Sequence, residues 1–142
     1  MSESDQRLFF LLQRAAHRLR LDADRRCLAA AGITTAQLGA LFAVHERAGG
    51  ITQRELARTL GLRESAVTAL AGRLAAAGLL TRRAHPDEHR AVVLELSAAG
   101  LAALHAARPE IDRFNAEMRA RLGDRHFTLT ANALHALAYD DD

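Results

Sequence analysis

The chain has no lysine and no tryptophan, a single cysteine, two prolines and one tyrosine among its 142 residues. Each shortage excludes something. One cysteine cannot close an intrachain disulfide, so a small fold stapled by disulfides is ruled out. Aromatic residues make up only 4% of the chain, which argues against an aromatic cage around a ligand. No apolar run reaches the roughly 18 residues that would span a bilayer. The opening MSESDQRLFFLLQRAAHRLR lacks both the basic start and the small-residue cleavage site of a secretory signal. The expectation is therefore a cytoplasmic protein without membrane contact. The short motifs of common enzymes are missing as well: no G-x-S-x-G, phosphate loop or dinucleotide fingerprint occurs, and neither does Cys-x-x-Cys or His-Glu-x-x-His. No enzymatic activity, cofactor or metal is expected.

What is present favours helix, since alanine and leucine dominate. The length suits one domain, or two small lobes sharing a core. All 19 basic residues are arginine, and they are unevenly spread. Residues 51–91 hold seven arginines against four acids, whereas residues 92–142 hold five against eight. A cationic middle joined to an anionic end points to a local polyanion site, with ordinary solvated surface as the plain alternative.

Helical spacing of Leu8, Leu11, Leu12, Ala15, Ala16 and Leu19 predicts a first helix from about Ser4 to Ala31, stopped by Gly32. So long an apolar stripe calls for a partner, and a second subunit is the natural one. Thr34 to Gln37 is a capping-box pattern opening a second helix that runs to about Arg47. Thr52 to Glu55 is another capping box, flanked by Ile51 and Leu56 at staple spacing, and Gly61 ends the helix it opens. A fourth helix spans about Arg63 to Ala77, with Val67, Leu70, Ala71 and Leu74 inward. Leu79 to Ala84 and Ala91 to Leu96 read as two strands around the polar loop HPDEH. Ser97 can cap a fifth helix reaching about Leu122, in which Pro109 predicts a kink or break. A last helix covers about Thr130 to Ala138, and the tail from Asp140 to Asp142 reads as loose.

Helix, glycine turn, helix is the helix-turn-helix pattern. In TQRELARTLGLRESAVTALAGRL the second helix carries its bulky residues on one side only. The other side, with Ser65, Ala66, Thr68, Ala69 and Gly72, is slim enough to enter a major groove roughly 12 Å wide. Close packing against another helix would use the same small residues. The segment that follows favours the groove, because a hairpin bearing Arg82, Arg83 and Arg90, with His85 and His89, would reach a neighbouring groove as a basic wing.

With these residues in view, the chain resembles the MarR-type winged-helix regulators from about Leu8 to Leu137. The likeness rests on ITQRELARTLGLRESAVTALAGRLAAAGLLTRR and the wing PDEHRAVVLELSAAG. It implies a mainly α fold with a small β-hairpin wing, in which residues 35–97 form the DNA-binding lobe. Residues 1–34 and 98–142 would form a helical dimerisation region. It also implies a homodimer bound to a pseudo-palindromic double-stranded DNA operator, acting as a repressor released by a small effector such as an aromatic or phenolic acid. Carried over by position, Ser65, Ala66, Thr68 and Ala69 would meet bases, and Arg73 the backbone. Arg63, Arg83 and His89 would add contacts, and Arg90 would enter the minor groove. The family usually has an aspartate two residues before that arginine. Glu88 stands there in this chain, preceded by Asp87, so either could clamp Arg90. Arg63 stands where the family often has a serine or threonine cap.

Phe10, Arg14 and His17 on the first helix could hold an acidic aromatic effector, with Phe10 as a wall, or could simply be surface or interface residues. Cys27 could make the protein a redox-responsive regulator, but a quiet half-buried thiol is the simpler role. A third possibility is a winged helix that binds only protein, which the arginines of the wing oppose. His85 and His89 lie four apart in a hairpin rather than on a helix face, so metal ligation is not expected.

Overall fold

The computed structural model describes residues 7–139. Among them are six helices: α1 (Leu8–Ala31), α2 (Thr35–His45), α3 (Gln53–Leu60), α4 (Glu64–Ala76), α5 (Ala98–Leu122) and α6 (Asp124–Tyr139). Three strands, β1 (Ile51–Thr52), β2 (Leu80–Ala84) and β3 (Val92–Leu96), form an antiparallel sheet in the order β1-β3-β2. The fold is that of a winged helix. No single helix among the described residues is long and apolar enough to cross a membrane; α1 and α2 reach that composition only together, across a 66° bend. The expected helix start at Ser4 and the tail from Asp140 to Asp142 lie outside the described residues.

Local chemistry sets most boundaries. Thr34 accepts from the Gln37 amide while the Gln37 side chain takes the Thr34 amide, so the first capping box is complete. The second box is half formed. Thr52 Oγ1 accepts from Glu55 N at 3.1 Å, but Glu55 turns to an ion pair with Arg47 at 2.7 Å instead of reaching back. Ser97 caps α5 through the Gly100 amide and donates to Gly78 O at 2.6 Å, tying the end of α4 to the start of α5.

The chain divides into two compact units, one ending at Arg108 and the other starting at Pro109. The first holds the core. Leu41, Leu56, Val67, Leu74, Leu94 and Leu104 are completely enclosed there. The four residues expected to anchor α4 are all buried. Gly50 lets the sheet close against this core: at its φ of +99°, a Cβ would lie 2.6 Å from Val93 Cγ1 and 2.9 Å from Leu94 O. The pairing of Ile51 with Leu94 explains β1, a strand too short to show alternation.

The second unit is a helical hairpin that buries none of its described residues. Arg119 stacks over Phe127 at 4.3 Å and reaches Asp124, which fastens the turn at Gly123. Two expectations need correction here. Of the kink or break expected at Pro109, the break does not occur: helix α5 continues through the proline, which removes only one amide from the helical ladder. Helix α6 begins at Asp124, not near Thr130, since Phe127 N already bonds Gly123 O at 2.9 Å.

Candidate nucleic-acid interface

Helix α4 shows two faces. Val67, Leu70, Ala71 and Leu74 fill the core, while Ser65, Ala66, Thr68, Ala69 and Arg73 are exposed on the opposite side. The exposed strip is narrow because its middle is built from alanine, serine, threonine and the half-buried Gly72. Arg63 sits at the N-cap with extended backbone angles and no side-chain cap, so Ser65 does not move the helix start. Thr68 gives its hydroxyl proton to Glu64 O at 2.9 Å and lies 3.3 Å from Gln53 Oε1 at the start of α3. Its oxygen lone pairs and methyl remain on the exposed strip.

Two side chains that the sequence did not single out join this face. Arg54 Nε on α3 lies 3.3 Å from Glu64 Oε1 on the first residue of α4, with the two side chains 77% and 64% exposed. Both are charged and stand near helix starts, but only the crossing of α3 and α4 brings them together.

The wing is built on β2 and β3, paired from Leu80 with Leu96 to Ala84 with Val92. Its tip is closed by His85, not by an acid. His85 Nδ1 accepts from the amides of Asp87 and Glu88, each at 3.0 Å, and His85 N bonds Ala91 O at 3.0 Å. Nδ1 therefore carries no proton in this arrangement. Arg90 follows at φ +67°, the one described non-glycine residue in the left-handed region. Arg90 and His89 are exposed. Among the described residues no ion pair links Arg90 to Glu88 or Asp87, whose amides are engaged by His85.

Arg83, exposed on β2, has partners within the chain. Its Nε donates to Glu95 Oε1 at 3.0 Å across the hairpin, and its Nη2 donates to Gly49 O at 3.0 Å. It is a buttress joining the wing to the loop before β1. Arg82, its neighbour on β2, is exposed.

Phe10, Arg14 and His17 are exposed along α1, with Phe10 stacked edge-on against Phe9. They line neither of the two cavities that stand out. One, of about 230 Å³, lies beside Arg47, Gly49 and Glu95; the other, of about 550 Å³, lies beside Asp112, Arg119 and Phe127. Cys27 is 3% exposed. Arg25 and Arg26 beside it both turn to Asp22, whose carboxyl they hold below the usual range, Arg25 most strongly. Among the described residues no three potential metal ligands cluster.

An exposed, slender second helix of a helix-turn-helix, followed directly by an arginine-bearing hairpin, defines a winged helix-turn-helix protein. The model of the MarR family matches residues 31–91, which contain that motif. The fold agrees over nearly the full length with solved MarR-type structures. The transcriptional repressor CouR bound to a 23-mer DNA duplex is 28% identical, with a TM-score of 0.87 over 97% of this chain and 96% of that one. CouR bound to p-coumaroyl-CoA is 27% identical, with a TM-score of 0.86 over 99% and 98%. A MarR-family transcriptional regulator from Rhodococcus is 23% identical, with a TM-score of 0.85 over 99% and 98%. No curated protein sequence matches the chain. By motif and fold together, the chain is similar to MarR-family regulators.

Proposed function

We propose that the protein is a cytoplasmic, sequence-specific regulator that binds a pseudo-palindromic double-stranded operator as a homodimer and leaves it when a small effector binds. The observation that carries this reading is the free strip of small side chains on α4 beside a wing tip where Arg90 holds a left-handed backbone. Strain of this kind in a non-glycine residue is a recognised mark of a functional position. CouR, similar in fold, is known with a DNA duplex and with p-coumaroyl-CoA. In this reading Ser65, Ala66, Thr68 and Ala69 meet base edges. Arg63, Arg73 and His89 meet phosphates, and Arg90 enters the minor groove. Arg83 keeps its structural role.

The second subunit would cover α1 and the helical hairpin, where Phe9, Phe10, Leu21 and Leu137 stand exposed. The effector would be an aromatic acid or its thioester, met by Phe10, Arg14 and His17 once a partner completes the wall. To displace the operator it must bind one dimer shape better than the other, typically by about 1–3 kcal/mol. Burial of Cys27 weighs against a redox signal.

A gel-shift assay with genomic fragments across a salt series tests the proposal. If the dimer neutralises on the order of ten phosphates, the logarithm of affinity should fall with the logarithm of salt at a slope of roughly −9. A module that binds only protein gives no salt-dependent shift, and that result would sink the reading. Aromatic acids and acyl thioesters added to the shifted complex test release.

A further inference from the structure

Glu64 is the acid that does not belong on a phosphate-facing surface. It opens α4, on the same helix edge as Thr68, and its side chain is 64% exposed. We infer that Glu64 reads a cytosine in each operator half-site, with Arg54 as a counter-ion that it gives up on docking. The inference rests on the DNA-binding reading above and adds a specificity determinant to it.

Three observations carry it. First, position: the N-terminal residues of a recognition helix are those that meet base edges, while the preceding helix crosses the backbone. Glu64 is the first residue of α4, and Arg54 is the second of α3. Second, the pair is easily broken. At 3.3 Å between two largely exposed side chains, the ion pair is close to neutral in energy. A phosphate near α3 can take Arg54 from Glu64 at little cost. Third, chemistry: a carboxylate only accepts hydrogen bonds. In the major groove, guanine and thymine present acceptor oxygens and repel it. Adenine offers an amine beside the N7 lone pair, which repels the second carboxylate oxygen. Cytosine offers its N4 amine with no acceptor of its own on that edge. In the free protein Arg54 thus partners the exposed carboxylate, and docking releases it to one base.

A structural role would also place an acid here, since a negative charge in the first turn favours a helix whose N-cap Arg63 supplies no side-chain bond. Selection of binding sites from a randomised duplex library separates the two, using full-length wild type, Glu64→Gln, Glu64→Ala and Arg54→Ala with thermal melts alongside. Wild type should recover cytosine at one symmetric position per half-site. Glu64→Ala should lose discrimination there by roughly 5- to 100-fold and leave every other position unchanged. Glu64→Gln, which keeps the shape and helix-forming character, should turn that position toward adenine, because glutamine pairs with adenine N6 and N7. Arg54→Ala should weaken all sequences alike and keep the cytosine. An identical consensus from wild type and both Glu64 variants, with only a lower melting temperature, overturns the assignment and leaves the DNA-binding reading standing. If wild type recovers no consensus, the DNA-binding reading itself fails.

Discussion

A single carboxylate oxygen of Asp24 takes both donors of Thr35: the amide at 2.8 Å and the hydroxyl at 2.6 Å. This joins the middle of α1 to the first turn of α2, where the orphan amides and the helix dipole favour a negative charge. The Thr35 hydroxyl and then its amide hold the Asp24 carboxyl below its ordinary range; burial opposes them, and the more distant charge of Arg20 adds a still smaller lowering. A carboxylate whose pKa is lower in the folded state stabilises the fold at pH values above its unfolded pKa. That contribution is lost as pH falls through the folded pKa. Asp24→Ala should lower stability near pH 7 by on the order of 1 kcal/mol. The gap between variant and wild type should narrow as pH falls below the ordinary aspartate range and through the lowered folded-state pKa. Urea unfolding of both proteins at pH 7 and at pH 3 checks this; a gap that persists in acid would assign the loss to packing instead.

Where information is local, the sequence showed it. The Thr34–Gln37 box and the inward set Val67, Leu70, Ala71 and Leu74 depend on spacing alone, and both are present. Features that depend on choosing among distant partners were hidden. Glu55 prefers Arg47 to its own helix start, Arg83 takes Glu95 and Gly49, and β1 exists because Ile51 lies opposite Leu94. His85, in the sequence only one of two histidines in the wing loop, serves as an acceptor for two amides. The Arg54–Glu64 pair needed the helix crossing to appear at all.

Two glycines should respond in opposite ways to alanine. At Gly100 a Cβ would lie 2.1 Å from the carbonyl oxygen of Leu79, a backbone atom that cannot step aside. Gly100→Ala should cost roughly 1–3 kcal/mol as the start of α5 is pushed off the wing base. At Gly72, inside α4, a Cβ meets nothing within 4 Å. Gly72→Ala should add about 0.5–1 kcal/mol of stability. It also thickens the groove-facing strip, so DNA affinity should fall while the melting temperature rises. Thermal melts paired with gel shifts measure both, and a stabilised variant with unchanged affinity would remove Gly72 from the docking face.

Arg83 and Arg90 should separate by salt dependence. Arg90→Ala removes a wing charge without touching the fold, so a dimer should lose roughly two units of salt slope and bind more weakly. Arg83→Ala breaks the tie to Glu95 and Gly49. Its main effect should be a looser wing, seen as faster amide exchange in β2 and β3, with little change in salt slope. Equal slope changes for both variants would return Arg83 to the DNA-contacting set.

The helical hairpin from Pro109 onward sets the last test. It encloses none of its described side chains, yet exposes Leu122, Leu129, Leu134, Leu137 and Tyr139. Two helices without a core do not hold together on the strength of one turn fastened by Arg119 and Phe127. Each of these leucines would contribute roughly 1.5–3 kcal/mol if fully covered, so partial cover by a second copy is enough to order the pair. Leu134→Glu should put an unpaired charge into that contact and weaken the dimer by at least about 30-fold, a cost of roughly 2 kcal/mol. Sedimentation over a range of concentrations, with melting followed in parallel, reads both effects. Wild type should melt at a higher temperature as concentration rises, and the variant should lose that dependence. A wild-type protein that sediments as a monomer throughout and melts at one temperature would mean the hairpin is covered by something other than a second copy.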